Sequence, residues 1–142
     1  LVWSRTILAQ KLMRVDKECH LYDDWHDQLL CAKNMHEGDM AIAFSYSGLT
    51  QEVLGCAAEA QRHNCPVVAV TKVDGSSKLA TMADAVLGVA ASEPLVRSGA
   101  MASRMAQLMV VDALYAAYVA SDYERATHVI KQKLHRETGK MR

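Results

Sequence analysis

Apolar and polar residues change their spacing in a regular way along this chain. Met40-Ala41-Ile42-Ala43-Phe44-Ser45 is a short apolar run without alternation, bounded by Gly38-Asp39 before it and a Ser/Gly cluster after it. A run of this kind reads as a strand buried on both faces, the kind that parallel sheets use. Helical spacing follows from about Leu49 to His63, and Asn64-Cys65-Pro66 breaks it before a second apolar run, Val67-Val68-Ala69-Val70-Thr71. The pattern then repeats with a loop at Val73-Asp74-Gly75-Ser76, a short helix from about Ser77 to Ala83, and a third run from Ala85 to Ala90. Strand, helix and strand in alternation predict a parallel sheet covered by helices on both faces.

Upstream, Trp3 to Arg14 has helical character, Glu18 to Tyr22 is a candidate strand, and Trp25, Leu29, Ala32 and Met35 recur at helical spacing. Downstream, Ser98 to Ala120 predicts a long helix, rich in Met, Leu, Val and Tyr around most of its circumference, and Asp122 to Arg136 a more polar one. A helix apolar on all sides has to be buried, in a core or against another subunit. A homodimer or homotetramer through the 98–120 helix is therefore expected. Met101, Met105 and Met109 lie four apart on one face of it, which suits core or interface packing and not redox chemistry.

The chain has 142 residues, enough for one domain with its own core and too few for two. Its 16 basic residues balance 16 acidic ones, and no run of Lys or Arg supplies the charge that binding a nucleic-acid backbone needs. DNA is expected as a partner only through a further N-terminal domain not in this chain. No apolar run approaches the length of a membrane span, and the N-terminus lacks the regions of a signal peptide. Cys19, Cys31, Cys56 and Cys65 form no CxxC pair, so a reduced, cytoplasmic setting is expected. The six histidines pair with no second His or Cys at ligand spacing, and neither a metal nor a cofactor is expected.

The chemistry concentrates in Ser45-Tyr46-Ser47-Gly48-Leu49-Thr50, where a buried strand gives way to a helix. In open α/β sheets, ligands bind beyond the carboxyl ends of the strands. Three hydroxyls and several backbone N–H groups converge there, Gly48 permits a close turn, and the helix start adds the positive end of its dipole, a combination that suits a phosphate. The plainer alternative is that Ser47 or Thr50 caps the helix.

Ser-x-Ser-Gly-x-Thr after an apolar strand that opens with Gly38-Asp39 resembles the phosphate-binding signature of sugar isomerase (SIS) domains. Val68-Ala69-Val70-Thr71, followed by Ser77-Lys78-Leu79-Ala80, and Ala83-Asp84 before a strand resemble the same family. Glu93-Pro94-Leu95-Val96-Arg97-Ser98, leading into Met101-Ala102-Ser103-Arg104, is similar to the effector domains of RpiR-type transcription regulators. In those proteins an N-terminal helix-turn-helix domain binds DNA and the SIS domain senses a sugar phosphate. The resemblance implies a three-layer sandwich, a parallel flavodoxin-like sheet flanked by helices, over residues 1–142. It also implies ligand contacts from Ser45, Tyr46, Ser47, Gly48 and Thr50, and from Glu93 and Arg97 in the loop before the long helix. SIS domains open with a strand in the middle of the sheet and a Gly-rich turn ahead of the first helix. Leu1-Val2-Trp3 begins after that point, so both are expected to lie upstream of this sequence.

Two functions follow from the resemblance. The first is a sugar-phosphate-binding effector domain of a regulator, with no catalysis. The alternative is an aldose–ketose isomerase of sugar phosphates, for which Glu93 or His26, in Asp24-Trp25-His26, would move the proton between the two carbons.

Overall fold

The computed structural model describes residues 2–90 and 101–140. Six helices, α1 (Val2–Arg14), α2 (Trp25–Lys33), α3 (Gln51–Arg62), α4 (Lys78–Met82), α5 (Met101–Ser121) and α6 (Tyr123–Lys140), surround three strands, β1 (Ala41–Phe44), β2 (Val67–Lys72) and β3 (Ala85–Val89). The strands lie in the order β1-β2-β3 and pair in parallel, with Ala41 opposite Val67 and Val68 opposite Ala85.

Alternation along β1 divides the core into two layers. Ala41 and Ala43 pack with Ala57 and Ala60 of α3, Met35 and Leu79 on one face of the sheet. Ile42 and Phe44 pack on the other with Leu8 and Leu12 of α1 and Val111 of α5. Small side chains under α3 let that helix approach closely, and larger ones fill the layer under α1 and α5. The central strand β2 is the most deeply covered, with Val67, Ala69, Val70 and Thr71 fully buried.

Local stops follow the sequence. Asn64, at φ 58, ends α3 in the left-handed conformation, and the Cys65 amide bonds back to the carbonyl of Ala60. Asp84 ties the start of β2 to β3, since its carboxylate accepts from the Val67 amide at 2.7 Å.

Three expectations change in the folded chain. Glu18 to Tyr22 forms no strand and pairs with none among the described residues. A strand needs a ladder partner within hydrogen-bonding reach, and between this segment and β1 lies a cavity of about 210 Å³, lined by His20, Tyr22, Ile42, Phe44, Cys56 and others. For the same reason β1 is half-buried along its length and not enclosed on both faces. The third change concerns α5. Its buried residues are Ser103, Gln107 and Val111, whereas Met101, Met105 and Met109 are 64, 62 and 73% exposed. Polar Ser103 and Gln107 face inward because a partner waits there for Gln107, whose Oε1 accepts from the buried Ser4 hydroxyl of α1 at 3.2 Å.

Candidate functional site

At the carboxyl end of β1 the chain turns through Ser45 to Thr50 into α3. Gly48, at φ 68, is the residue that reverses it. Its amide donates to both the carbonyl and the hydroxyl of Ser45, each at 3.1 Å. Thr50 is the N-cap of α3 by position, yet its side chain makes no cap bond. The hydroxyl instead pairs with that of Ser45 at 2.9 Å. Ser47 turns its oxygen to the Leu49 amide at 3.2 Å, a local turn ahead of the helix. Neither residue caps α3, and so the plainer reading of these hydroxyls is set aside: the first turn of α3 has no side-chain cap from its N-cap residue.

Burial divides the loop. Ser45 and Gly48 are buried, while Ser47, Leu49 and Thr50 are exposed. The loop thus presents the Ser47 and Thr50 positions and a helix N-terminus to solvent on a buried footing. The acidic residue in the first turn is Glu52, which is also exposed.

The footing is the end of β2 and the start of α4. The Lys72 amide donates to the Tyr46 carbonyl at 3.1 Å, and the Leu79 amide to the Gly48 carbonyl at 3.0 Å. Gly48 sits against Ser77 so closely that a Cβ there would stand 1.7 Å from the Ser77 hydroxyl and 2.8 Å from that of Thr71. The glycine is therefore required by contact with its own protein as well as by its backbone angle. Sequence reasoning gave no role to Thr71 and Ser77. The available signal was a Ser that begins a helix after a strand, Ser77-Lys78-Leu79-Ala80, although its burial and its partner are tertiary facts.

Lys72 stands beside the loop and spends its charge on Asp74 at 2.6 Å. The Lys72 ammonium, then the hydroxyl and amide of Ser76, hold the Asp74 carboxyl down to about 2. All four thiols are pushed above the usual cysteine range, in each case first by burial, which leaves no activated thiolate among the described residues. The described residues also contain no group of three His, Cys, Asp or Glu that could hold a metal, and no helix among them is long and apolar enough to cross a membrane.

The loop brings Ser45, Tyr46, Ser47, Gly48 and Thr50 together. His26 is an exposed residue at the start of α2, its amide held by the N-cap Asp24 at 2.8 Å and its ring against Trp25. Glu93 and Arg97 lie outside the described residues.

A polar turn at the carboxyl end of a half-buried parallel strand, opening an uncapped helix, stands where open α/β sheets hold their ligands. The SIS domain family matches residues 7–117, and the chain belongs to it. An uncharacterized HTH-type transcriptional regulator of Caldanaerobacter subterraneus subsp. tengcongensis is 42% identical over 105 residues, 74% of this chain and 37% of the relative. The HTH-type regulator YbbH of Bacillus subtilis is 34% identical over 85% of this chain and 43% of its own length. This chain therefore spans about two fifths of the curated relatives it matches. Among solved structures, the Vibrio vulnificus NanR protein complexed with ManNAc-6P superposes with a TM-score of 0.83 at 28% identity, over 94% of this chain and 50% of that one. The sugar isomerase domain of an RpiR transcription factor from Sphaerobacter thermophilus shares the fold, with a TM-score of 0.79 at 22% identity, over 94% of this chain and 72% of that one.

Proposed function

We propose that this chain is the sugar-phosphate-sensing domain of an RpiR-type transcriptional regulator, with the phosphate held by the Ser45–Thr50 loop and the first turn of α3. The observation that carries this reading is Thr50, an N-cap residue whose hydroxyl leaves the helix start and pairs with Ser45. An anion accepting from Ser47, Thr50 and the first amides of α3 would supply the missing acceptor and meet the positive end of the helix dipole. The relatives' description as HTH-type regulators and the ManNAc-6P bound to NanR support the same reading. Glu93 and Arg97 are proposed to complete the sugar side of the site, and the whole protein to act in the cytoplasm, reaching DNA through a separate N-terminal domain.

Two structural proposals accompany this one. The exposed Met101, Met105 and Met109 form one face of α5, and they support self-association of two or four copies through that helix. Among the described residues β1 is an edge strand, and the cavity between it and His20–Tyr22 supports one further strand in the domain at that place.

Thermal denaturation with hexose, pentose and amino-sugar phosphates, ManNAc-6P among them, tests the sensor. A ligand at a hundred times its Kd stabilises a fold by about 2.7 kcal/mol, and Ser47→Ala should reduce that shift. If none of these compounds moves the melting temperature of the intact protein, the sensing reading is wrong. Turnover of one of them would establish the isomerase instead.

A further inference from the structure

The ligand loop rests on two buried hydroxyls that no sugar phosphate at its surface would touch. Thr71 is fully buried and Ser77 is 3% exposed. Their oxygens lie 2.9 Å apart. The Ser77 oxygen also accepts from the Ala80 amide at 3.0 Å, and the Thr71 hydroxyl reaches the Tyr46 carbonyl at 3.3 Å. A hydroxyl has one proton, which fixes the direction of every bond in this set. A carbonyl cannot donate, so Thr71 gives its proton to Tyr46, and the bond between the two hydroxyls has to be donated by Ser77.

The result is a one-way chain from the Ala80 amide through Ser77 and Thr71 to the carbonyl of Tyr46. It joins the first turn of α4 to the middle of the ligand loop. We propose that Thr71 and Ser77 are positioning residues for that loop, holding Tyr46 and Gly48 so that Ser47 and Thr50 face outward. This rests on the anion-binding reading of the loop. Three contacts set the loop against this pair. Gly48 lies directly on the Ser77 hydroxyl, its carbonyl accepts from Leu79 at 3.0 Å, and the Tyr46 carbonyl accepts a second bond, from Lys72. Both residues act through the loop and neither is placed to touch a ligand.

Thr71→Val, which keeps the shape and removes the proton, and Thr71→Ser, which keeps the hydroxyl, separate positioning from mere packing. Hydrogen exchange of the intact protein without ligand would be followed at the amides of Gly48 and Leu49 and at those of Val68 to Val70. Positioning predicts roughly tenfold faster exchange at Gly48 and Leu49 in Thr71→Val, the size of one lost buried hydrogen bond. It also predicts little change in β2 and recovery in Thr71→Ser. Ser77→Ala should loosen the same two amides and the start of α4. Equal acceleration at all these amides, or none, would overturn the proposal. A parallel titration of the wild-type protein with ManNAc-6P and with inorganic phosphate reads the anion site separately: no binding by a protein whose loop exchanges slowly would count against the sensing function, whereas the exchange pattern alone decides the positioning.

Discussion

Three glycines allow the contact at the Ser45–Thr50 loop to be measured by difference. Gly48→Ala places a Cβ 1.7 Å from the Ser77 hydroxyl oxygen and 2.5 Å from the Ser77 Cβ. Rotating the Ser77 side chain relieves the first contact and not the second, so the backbone of the loop or of α4 has to move. The left-handed φ of 68 costs an alanine about 1–2 kcal/mol, and forcing a methyl into a packed site about 1–3 more. The sum, roughly 2–5 kcal/mol, is a large part of the 5–15 typical of a whole domain. Gly75 has φ 77 and nothing within 4 Å of the point where a Cβ would stand, so Gly75→Ala isolates the strain alone. Gly55 lies in α3 with ordinary helical geometry and open space, and Gly55→Ala should stabilise by about 0.5–1 kcal/mol. Urea unfolding of the three variants, with equal slopes, gives the comparison directly. The expected order of stability is Gly55→Ala above wild type, then Gly75→Ala, then Gly48→Ala. A Gly48→Ala protein no less stable than Gly75→Ala would refute the close seating of the loop on Ser77.

The pH dependence of stability should carry the mark of Asp74. Its carboxyl is depressed from 3.8 to about 2 in the folded chain, so the stability it adds is fully present above pH 4 and is lost as the pH falls toward 2. Denaturant titrations between pH 5 and 2 should show a shallower decline in Asp74→Asn or Lys72→Met than in wild type. Beside the proposed anion loop, Glu52 puts a negative charge in the first turn of α3. Glu52→Gln should tighten ManNAc-6P or inorganic phosphate binding by a few-fold at low salt, and the gain should fade as ionic strength rises, measured by calorimetry. An unchanged affinity would place the anion away from the start of α3.

The βαβ units from β1 to β3 were legible because each strand is apolar on both sides and each helix is closed by punctuation such as Asn64-Cys65-Pro66. The loop Ser45–Thr50 was legible as well, since a hydroxyl cluster at a strand end is a local feature with a fixed place in an open sheet. What was not legible depended on partners distant in sequence. Glu18 to Tyr22 has the composition of a strand but no pairing neighbour among the described residues. The helix at Met101–Ser121 has a buried side that is partly polar, because Ser4 from α1 meets Gln107 across about a hundred positions of chain. The direction of the bonds from Ala80 to Tyr46 likewise exists only once β2 and α4 have come together.

The sequence by itself therefore determined the order of strands and helices, the parallel sheet and the position of the candidate anion loop, for these follow from residue periodicity and from the few conformations that Gly, Pro and Asn impose. Only the tertiary structure decided which hydroxyls cap, which pair with one another, and why Gly48 leaves no room for a side chain. Those outcomes depend on distances of a few tenths of an ångström between segments that no local pattern relates.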